Sequence, residues 1–180
     1  MGNTRRDFIK KTALSTTAMA SVGPNIMIGK NILGANDRIN CAIAGVRSRG
    51  KAHAASINLQ DNAKILFSCD VDDKIIEEHN KWSKKNIGYI AKIEKDYRKL
   101  VENKDIDVIF IATPEHWHTP MTIMALQNGK HVYVEKPCSH NPHENELLVT
   151  AQNKYGLKVQ MGNQQRSALS SINAINDIRN

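Results

Sequence analysis

Val108-Ile-Phe-Ile-Ala-Thr-Pro-Glu-His-Trp-His118, Lys130-His-Val-Tyr-Val-Glu-Lys-Pro137 and Lys158-Val-Gln-Met-Gly-Asn-Gln-Gln-Arg166 share one design. Each is an apolar run that stops abruptly in polar residues. Such runs suit buried parallel strands, and in an open parallel α/β sheet ligands bind just beyond the carboxyl ends of the strands. Three successive strand ends here carry groups able to handle a polar ligand. Glu135-Lys136-Pro137 is the most telling. A lysine at the edge of a buried strand is costly unless it has a partner or a task. The proline fixes the backbone beside it, and X–Pro is the linkage where a cis bond costs least.

A fourth run lies upstream. Arg38-Ile-Asn-Cys-Ala-Ile-Ala-Gly45 is almost wholly apolar and ends in glycine; Val46-Arg-Ser-Arg-Gly50 follows, and then Lys51–Leu59 with a helical pattern. Strand, glycine turn and helix together aim unpaired backbone N–H groups and a helix N-terminus at a pyrophosphate. Gly45 permits the tight turn and Gly50 a close approach of helix to strand. Arg47 stands where a middle glycine is usual. Its side chain either crowds the pyrophosphate or folds out and pairs with phosphate. Ser48 and Arg49 are its neighbours at the same site.

The second strand, Ala63-Lys-Ile-Leu-Phe-Ser-Cys-Asp70, ends 20 residues after Gly50. An acid there accepts the adenosine ribose hydroxyls and repels a 2′-phosphate, so NAD is expected in preference to NADP. Arg47 or Arg49 would soften that preference. The competing reading of Asp70 is a helix N-cap, for which Asp72 is better placed. Val71–Lys85 reads as a charged amphipathic helix, Ile90–Ile93 as a short strand, and Asp96–Glu102 as a helix with Asp96 at its cap and Tyr97, Leu100 and Val101 inward. Asp107–Ala112, His131–Val134 and Lys158–Met161 are the later strands. Thr119–Gln127 and Asn141–Tyr155 are the helices between them, with Pro142 in a first turn, and a last helix begins at Ser167.

At these residues the chain resembles the nucleotide-binding part of the Gfo/Idh/MocA oxidoreductases. The resemblance runs from about Asn36 to the last residue, through Ile39–His53, Cys69-Asp-Val-Asp72, Ala112-Thr-Pro-Glu-His-Trp-His118, Gly129–Pro137 and Gln160–Arg166. It implies an α/β, Rossmann-type doubly wound parallel sheet at residues 36–165, with NAD as cofactor and a sugar, cyclitol or related polyol as substrate. It places Thr113, Pro114, His116 and His118 along the nicotinamide half of the cofactor, with Glu135 beside them. It puts Lys136 at the nicotinamide, touching a substrate hydroxyl. A lysine amine there takes or gives a proton as hydride leaves the carbinol carbon. The alternative is a lysine paired only with Glu135 or a phosphate. Gln164 and Arg166 are donors for a polyhydroxylated substrate, and Trp117 is either a wall for it or packing. His116 and His118 lack a third partner at fixed spacing, so no metal site is expected.

The resemblance further implies a following α/β domain that supplies an Asp and a His to the proton relay and the homo-oligomer interface. Residues 166–180 read as the start of the crossover to it, the chain being cut there. A fragment that binds nucleotide without turnover is one alternative. NAD-dependent glycoside hydrolysis, known among relatives, is another; those relatives commonly lack the lysine of Glu-Lys-Pro, so Lys136 counts against it.

Residues 1–35 read as an address. Thr4-Arg-Arg-Asp-Phe-Ile-Lys10 has the twin-arginine pattern, a weakly apolar run covers Thr12–Val22, and Ala18-Met-Ala20 offers a cleavage site. The run is too short and polar to span a bilayer. Export by the twin-arginine machinery to the periplasm is expected, with no membrane attachment after processing. The formal charge of +7 is concentrated here. Beyond residue 34, 20 Lys and Arg face 17 Asp and Glu, so the basic balance is poor evidence for nucleic-acid binding. Cys41 and Cys69 fall in apolar runs and Cys138 follows Pro137; an odd count with no Cys-x-x-Cys argues against a disulfide framework.

Overall fold

The computed structural model describes Arg38–Arg179. The twin-arginine stretch and the whole of 1–35 lie outside the described residues. Six parallel strands form one sheet: β1 (Ile39–Ala44), β2 (Ala63–Cys69), β3 (Lys92–Glu94), β4 (Val108–Ile111), β5 (His131–Glu135) and β6 (Val159–Gly162). Their order is β3-β2-β1-β4-β5-β6, so the winding reverses between β1 and β4. That reversal opens the crevice where dinucleotides bind in such sheets. The helices are α1 (Ser48–Asn58), α2 (Asp73–Asn86), α3 (Tyr97–Glu102), α4 (His118–Gln127), α5 (Pro142–Tyr155) and α6 (Leu169–Arg179).

The period of two along each strand divides the core into two layers. Ala42 and Ala44 of β1 pack with Ile109, Ile111, Leu100, Val101 and Ala125 on the α3–α4 side. Cys41 and Ile43 face the other way, with Ala54, Ile57, Ile65 and Ile75 on the α1–α2 side. Ile43, Ile65, Ile109 and Ile111 are essentially inaccessible, each side chain stabilising the fold by about 1.5–3 kcal/mol. Burial first pushes the thiols of Cys41 and Cys69 up to about 12. They are structural, as their apolar surroundings in sequence indicate.

Most caps follow the sequence. Asp72 accepts from the Lys74 and Ile75 amides at the head of α2. Asp96 caps α3, and Asn141 caps α5 with Pro142 behind it. Element boundaries shift by a few residues, three of them for a visible local reason. α1 begins at Ser48 rather than Lys51, because Arg47 takes the N-cap position and Gly50 lies inside the first turn. The third strand sits at Lys92–Glu94 on the sheet edge, where only β2 fixes its register. A 3-10 turn, Gln164–Ser167, precedes α6, which therefore starts at Leu169. Among the described residues no helix is long and apolar enough to cross a membrane.

Candidate functional site

Parallel register brings the strand ends level. Ala44 pairs with both Cys69 and Ile111, and Glu135 pairs with Gly162. The residues that follow, Gly45, Asp70, Ala112, Lys136 and Asn163, therefore share one edge of the sheet.

Gly45 has φ 85°, and a Cβ on it would lie 2.5 Å from the Ala112 carbonyl oxygen across the crevice. A Cβ on Gly50 would lie 2.1 Å from the Gly45 carbonyl oxygen. The first turn of α1 thus rests directly on the loop that enters it. No side chain caps this turn, so its leading amides keep their donors for an anion, backed by the helix dipole. A pyrophosphate fits this cradle, which side chains at either glycine would fill.

Arg47 does not crowd the loop. It is exposed and lines a cleft of about 480 Å³ with Ser48, Lys51, Asp72, Lys74, Ile75 and Glu78. Asp70, half-buried, uses Oδ2 to accept the Val46 amide at 3.0 Å and Oδ1 to accept the Asp72 amide at 3.2 Å. It ties the glycine loop to the end of β2 while Asp72 does the capping. Each oxygen keeps a lone pair for a further donor.

On the other side of the loop lies a cleft of about 440 Å³. Its walls are the β4 end (Ala112, Thr113, Glu115), the β5 end (Glu135, Lys136, Pro137), Arg49, His118 and Gln164. The Lys136–Pro137 peptide is cis. Lys136 is exposed, and among the described residues it forms no ion pair or hydrogen bond. The expected alternative, a lysine spent on Glu135, is not what the structure holds.

Glu135 is instead engaged from the other side. It is buried, and its Oε1 accepts from Arg49 Nε at 2.8 Å and from Gln164 Nε2 at 2.8 Å. His53 Nε2 stands 3.0 Å from the same oxygen, a close polar contact that becomes an ion pair only when the ring is protonated. Burial works to raise the Glu135 pKa; the donors Arg49 and Gln164, with the Arg49 and His53 charges, outweigh it and hold the carboxyl below its usual range. Burial, then Arg49, keeps His53 below the usual histidine value against the pull of Glu135. The His53 ring also meets Tyr133 edge-on at 5.1 Å and Phe110 at 5.6 Å. This network joins α1 to the ends of β5 and β6. Nothing local in the sequence marks His53 or Tyr133 as part of the site, although Arg49 and His53 lie four apart on one helical face. Arg49, expected at the cofactor phosphates, has its Nε committed to Glu135.

His118 is buried, with Nδ1 2.6 Å from the Pro137 carbonyl oxygen and Nε2 2.8 Å from that of Thr113. It belongs to the wall, and neither ring nitrogen is left for the cofactor contact expected of it. His116 is exposed beside Trp117, itself 52% exposed. Both lie on the 3-10 turn Glu115–Trp117, outside the lining of the cleft, as do exposed Pro114 and Arg166.

A buried-histidine effect follows. Burial, then Lys51, also holds His79 below the usual histidine value, where it contacts Ser68 Oγ at 3.2 Å. Both histidines then bind fewer protons folded than unfolded. Stability present above about pH 6.5 is lost as pH falls below it, by at most about 1.4 kcal/mol per pH unit for each. Thermal unfolding between pH 7 and 5.5 should show Tm falling, and His53→Gln with His79→Gln should flatten that slope. An equally steep slope in the double variant would assign the acid sensitivity elsewhere.

Comparison with known proteins is consistent with this geometry. The family model described as "Oxidoreductase family, NAD-binding Rossmann fold" (GFO_IDH_MocA) matches residues 39–163. Glycosyl hydrolase family 109 protein 1 from Shewanella sp. (strain ANA-3) is 27% identical over 164 residues, 81% of this chain and 36% of the relative. Myo-inositol 2-dehydrogenase from Lactobacillus plantarum superposes with a TM-score of 0.69 at 26% identity, covering 79% of this chain and 41% of that one. Scyllo-inositol dehydrogenase from Lactobacillus casei, with bound NAD(H) and scyllo-inositol, gives 0.66 at 29% identity, covering 76% and 39%. The chain spans about a third of the length of the curated relatives it matches.

Proposed function

We propose that this chain, which belongs to the Gfo/Idh/MocA oxidoreductase family through its NAD-binding Rossmann domain, serves hydride transfer between NAD and a hydroxyl-bearing carbon of a sugar, cyclitol or related polyol. The observation that carries the reading is the placement of Lys136, which has no partner among the described residues, in a cleft at the same sheet edge as the glycine cradle. The solved scyllo-inositol dehydrogenase with NAD(H) and scyllo-inositol supports a polyol as substrate. When bound, NAD supplies the hydride acceptor. The Gly45–Gly50 loop would hold its pyrophosphate by backbone amides, and Asp70 would receive its ribose hydroxyls. Lys136 accepts the substrate hydroxyl proton as the carbinol carbon gives up hydride. Glu135, Arg49, His53 and Gln164 keep the floor beneath it fixed. We also propose that residues 1–35 are a twin-arginine leader and that the protein works in the periplasm, on the strength of Thr4–Lys10.

The relatives named glycosyl hydrolase family 109 favour one second reading, NAD-dependent glycoside hydrolysis. One panel separates the two. The purified complete protein is given NAD with inositols and sugars, and in parallel aryl glycosides. NADH formation with a free polyol is the expected result. Aryl release without net NADH would overturn it.

Asp70→Ala is expected to weaken NAD binding about tenfold, the loss of a charge-assisted pair of hydrogen bonds, and to narrow the gap to NADP. Calorimetric titration with both cofactors checks it. An unchanged preference would remove Asp70 from the ribose site and leave it as the tie on Val46.

A further inference from the structure

We propose that His118 is a positioning residue that braces the two walls of the Lys136 cleft, setting where the lysine stands; this rests on the reading of that cleft as the site of hydride transfer. Thr113 ends the β4 wall and Pro137 follows Lys136 on the β5 wall. Their carbonyl oxygens lie 2.8 and 2.6 Å from the two nitrogens of one buried ring. The other side-chain contact between these loops is exposed and longer, His140 Nδ1 to Glu115 Oε1 at 3.7 Å. Next along the chain, Thr119 Oγ1 donates to the Cys138 carbonyl at 3.2 Å. The head of α4 therefore grips two consecutive carbonyls directly after Lys136.

Carbonyl oxygens accept and do not donate, so a ring nitrogen that carries a proton donates to the carbonyl it faces, and the ring fills the space between the two loops. The ring is part of the wall and gives neither nitrogen to a ligand. Its removal frees the segment that carries Lys136 and leaves the glycine cradle, on the far side of the β1–β4 crevice, as it was. A misplaced reacting group costs rate far more than affinity.

The test uses the complete protein with His118→Leu, His118→Gln and Thr119→Val. His118→Leu is expected to lower kcat at least thirtyfold, with the NAD dissociation constant changed less than threefold. His118→Gln, which returns one donor, should recover part of that loss, and Thr119→Val should cost less than His118→Leu. Amide hydrogen exchange of the 136–139 segment reads the brace without any turnover: it should quicken in His118→Leu while the strands of the sheet keep their protection. Wild-type exchange in that segment would overturn the brace, whatever the activity. So would NAD affinity falling in step with kcat, which would make His118 a cofactor contact. If the strands lose protection in His118→Leu, the comparison of His118→Gln with wild type decides, and equality there overturns the proposal. Quickened exchange in a protein that oxidises no polyol would sustain the brace and sink only the hydride-transfer reading.

Discussion

Replacing Gly50 by alanine is expected to lower NAD affinity by about two orders of magnitude and to destabilise the fold. Alanine is favoured over glycine inside a helix by about 0.8–1 kcal/mol, so propensity alone predicts a gain. Sterics decide against it. The added Cβ would sit 2.1 Å from the Gly45 carbonyl oxygen and 3.0 Å from its carbon. Both are backbone atoms, so no rotamer change relieves the overlap. Either α1 lifts from the loop or the loop moves toward Ala112, which already lies too close to Gly45 for a side chain. Overpacking of this kind costs about 1–3 kcal/mol, and it also displaces the amides that would meet the pyrophosphate. Gly156→Ala is the control, because that glycine ends α5 in the left-handed conformation with open space around it. It should lose some stability and no NAD affinity. Titration calorimetry with thermal unfolding measures both; NAD affinity in Gly50→Ala equal to wild type would detach the close contact from binding.

What the sequence discloses here is local. The apolar runs ending in Gly45, Asp70 and Thr113 mark the strands themselves, though not that β4 pairs with β1 instead of with β3, and caps such as Asp72 and Asn141 act within three residues. The site's supports are not local. Glu135 takes its donors from Arg49 and Gln164, 86 and 29 residues away. His118 reaches Pro137 across 19 residues. A histidine on a polar loop and an acid beside a lysine invite ligand roles in one dimension. Only the fold reveals that His118 is turned into the wall and that Glu135 faces its donors beneath the cleft. The same holds for Gly50, whose position in a helix hides that its missing side chain is needed by the loop of Gly45.

Lys136→Met should cut the turnover of the complete protein with its polyol substrate by 10²- to 10⁴-fold, the usual worth of a positioned acid–base group. That range is about 3–5 kcal/mol of barrier. NAD affinity should change less than threefold, because among the described residues Lys136 holds no partner whose loss would disturb the cradle, and the glycine loop binds through backbone amides. Methionine keeps the length and apolar stem of lysine, so packing against the cleft wall is preserved while the amine is gone. Two outcomes separate the roles left open by the residue type. If NAD affinity and turnover fall together, the ammonium serves a cofactor phosphate. If turnover falls alone, the amine meets the substrate, and a small primary alkylamine added to Lys136→Ala should restore part of the rate by standing in the vacated space. Near-normal turnover in Lys136→Met would end the catalytic reading of the lysine. It would leave the Glu135 network as support for the nucleotide cradle alone, because Arg49 and His53 reach that carboxylate from α1, the same helix that carries the cradle's donors.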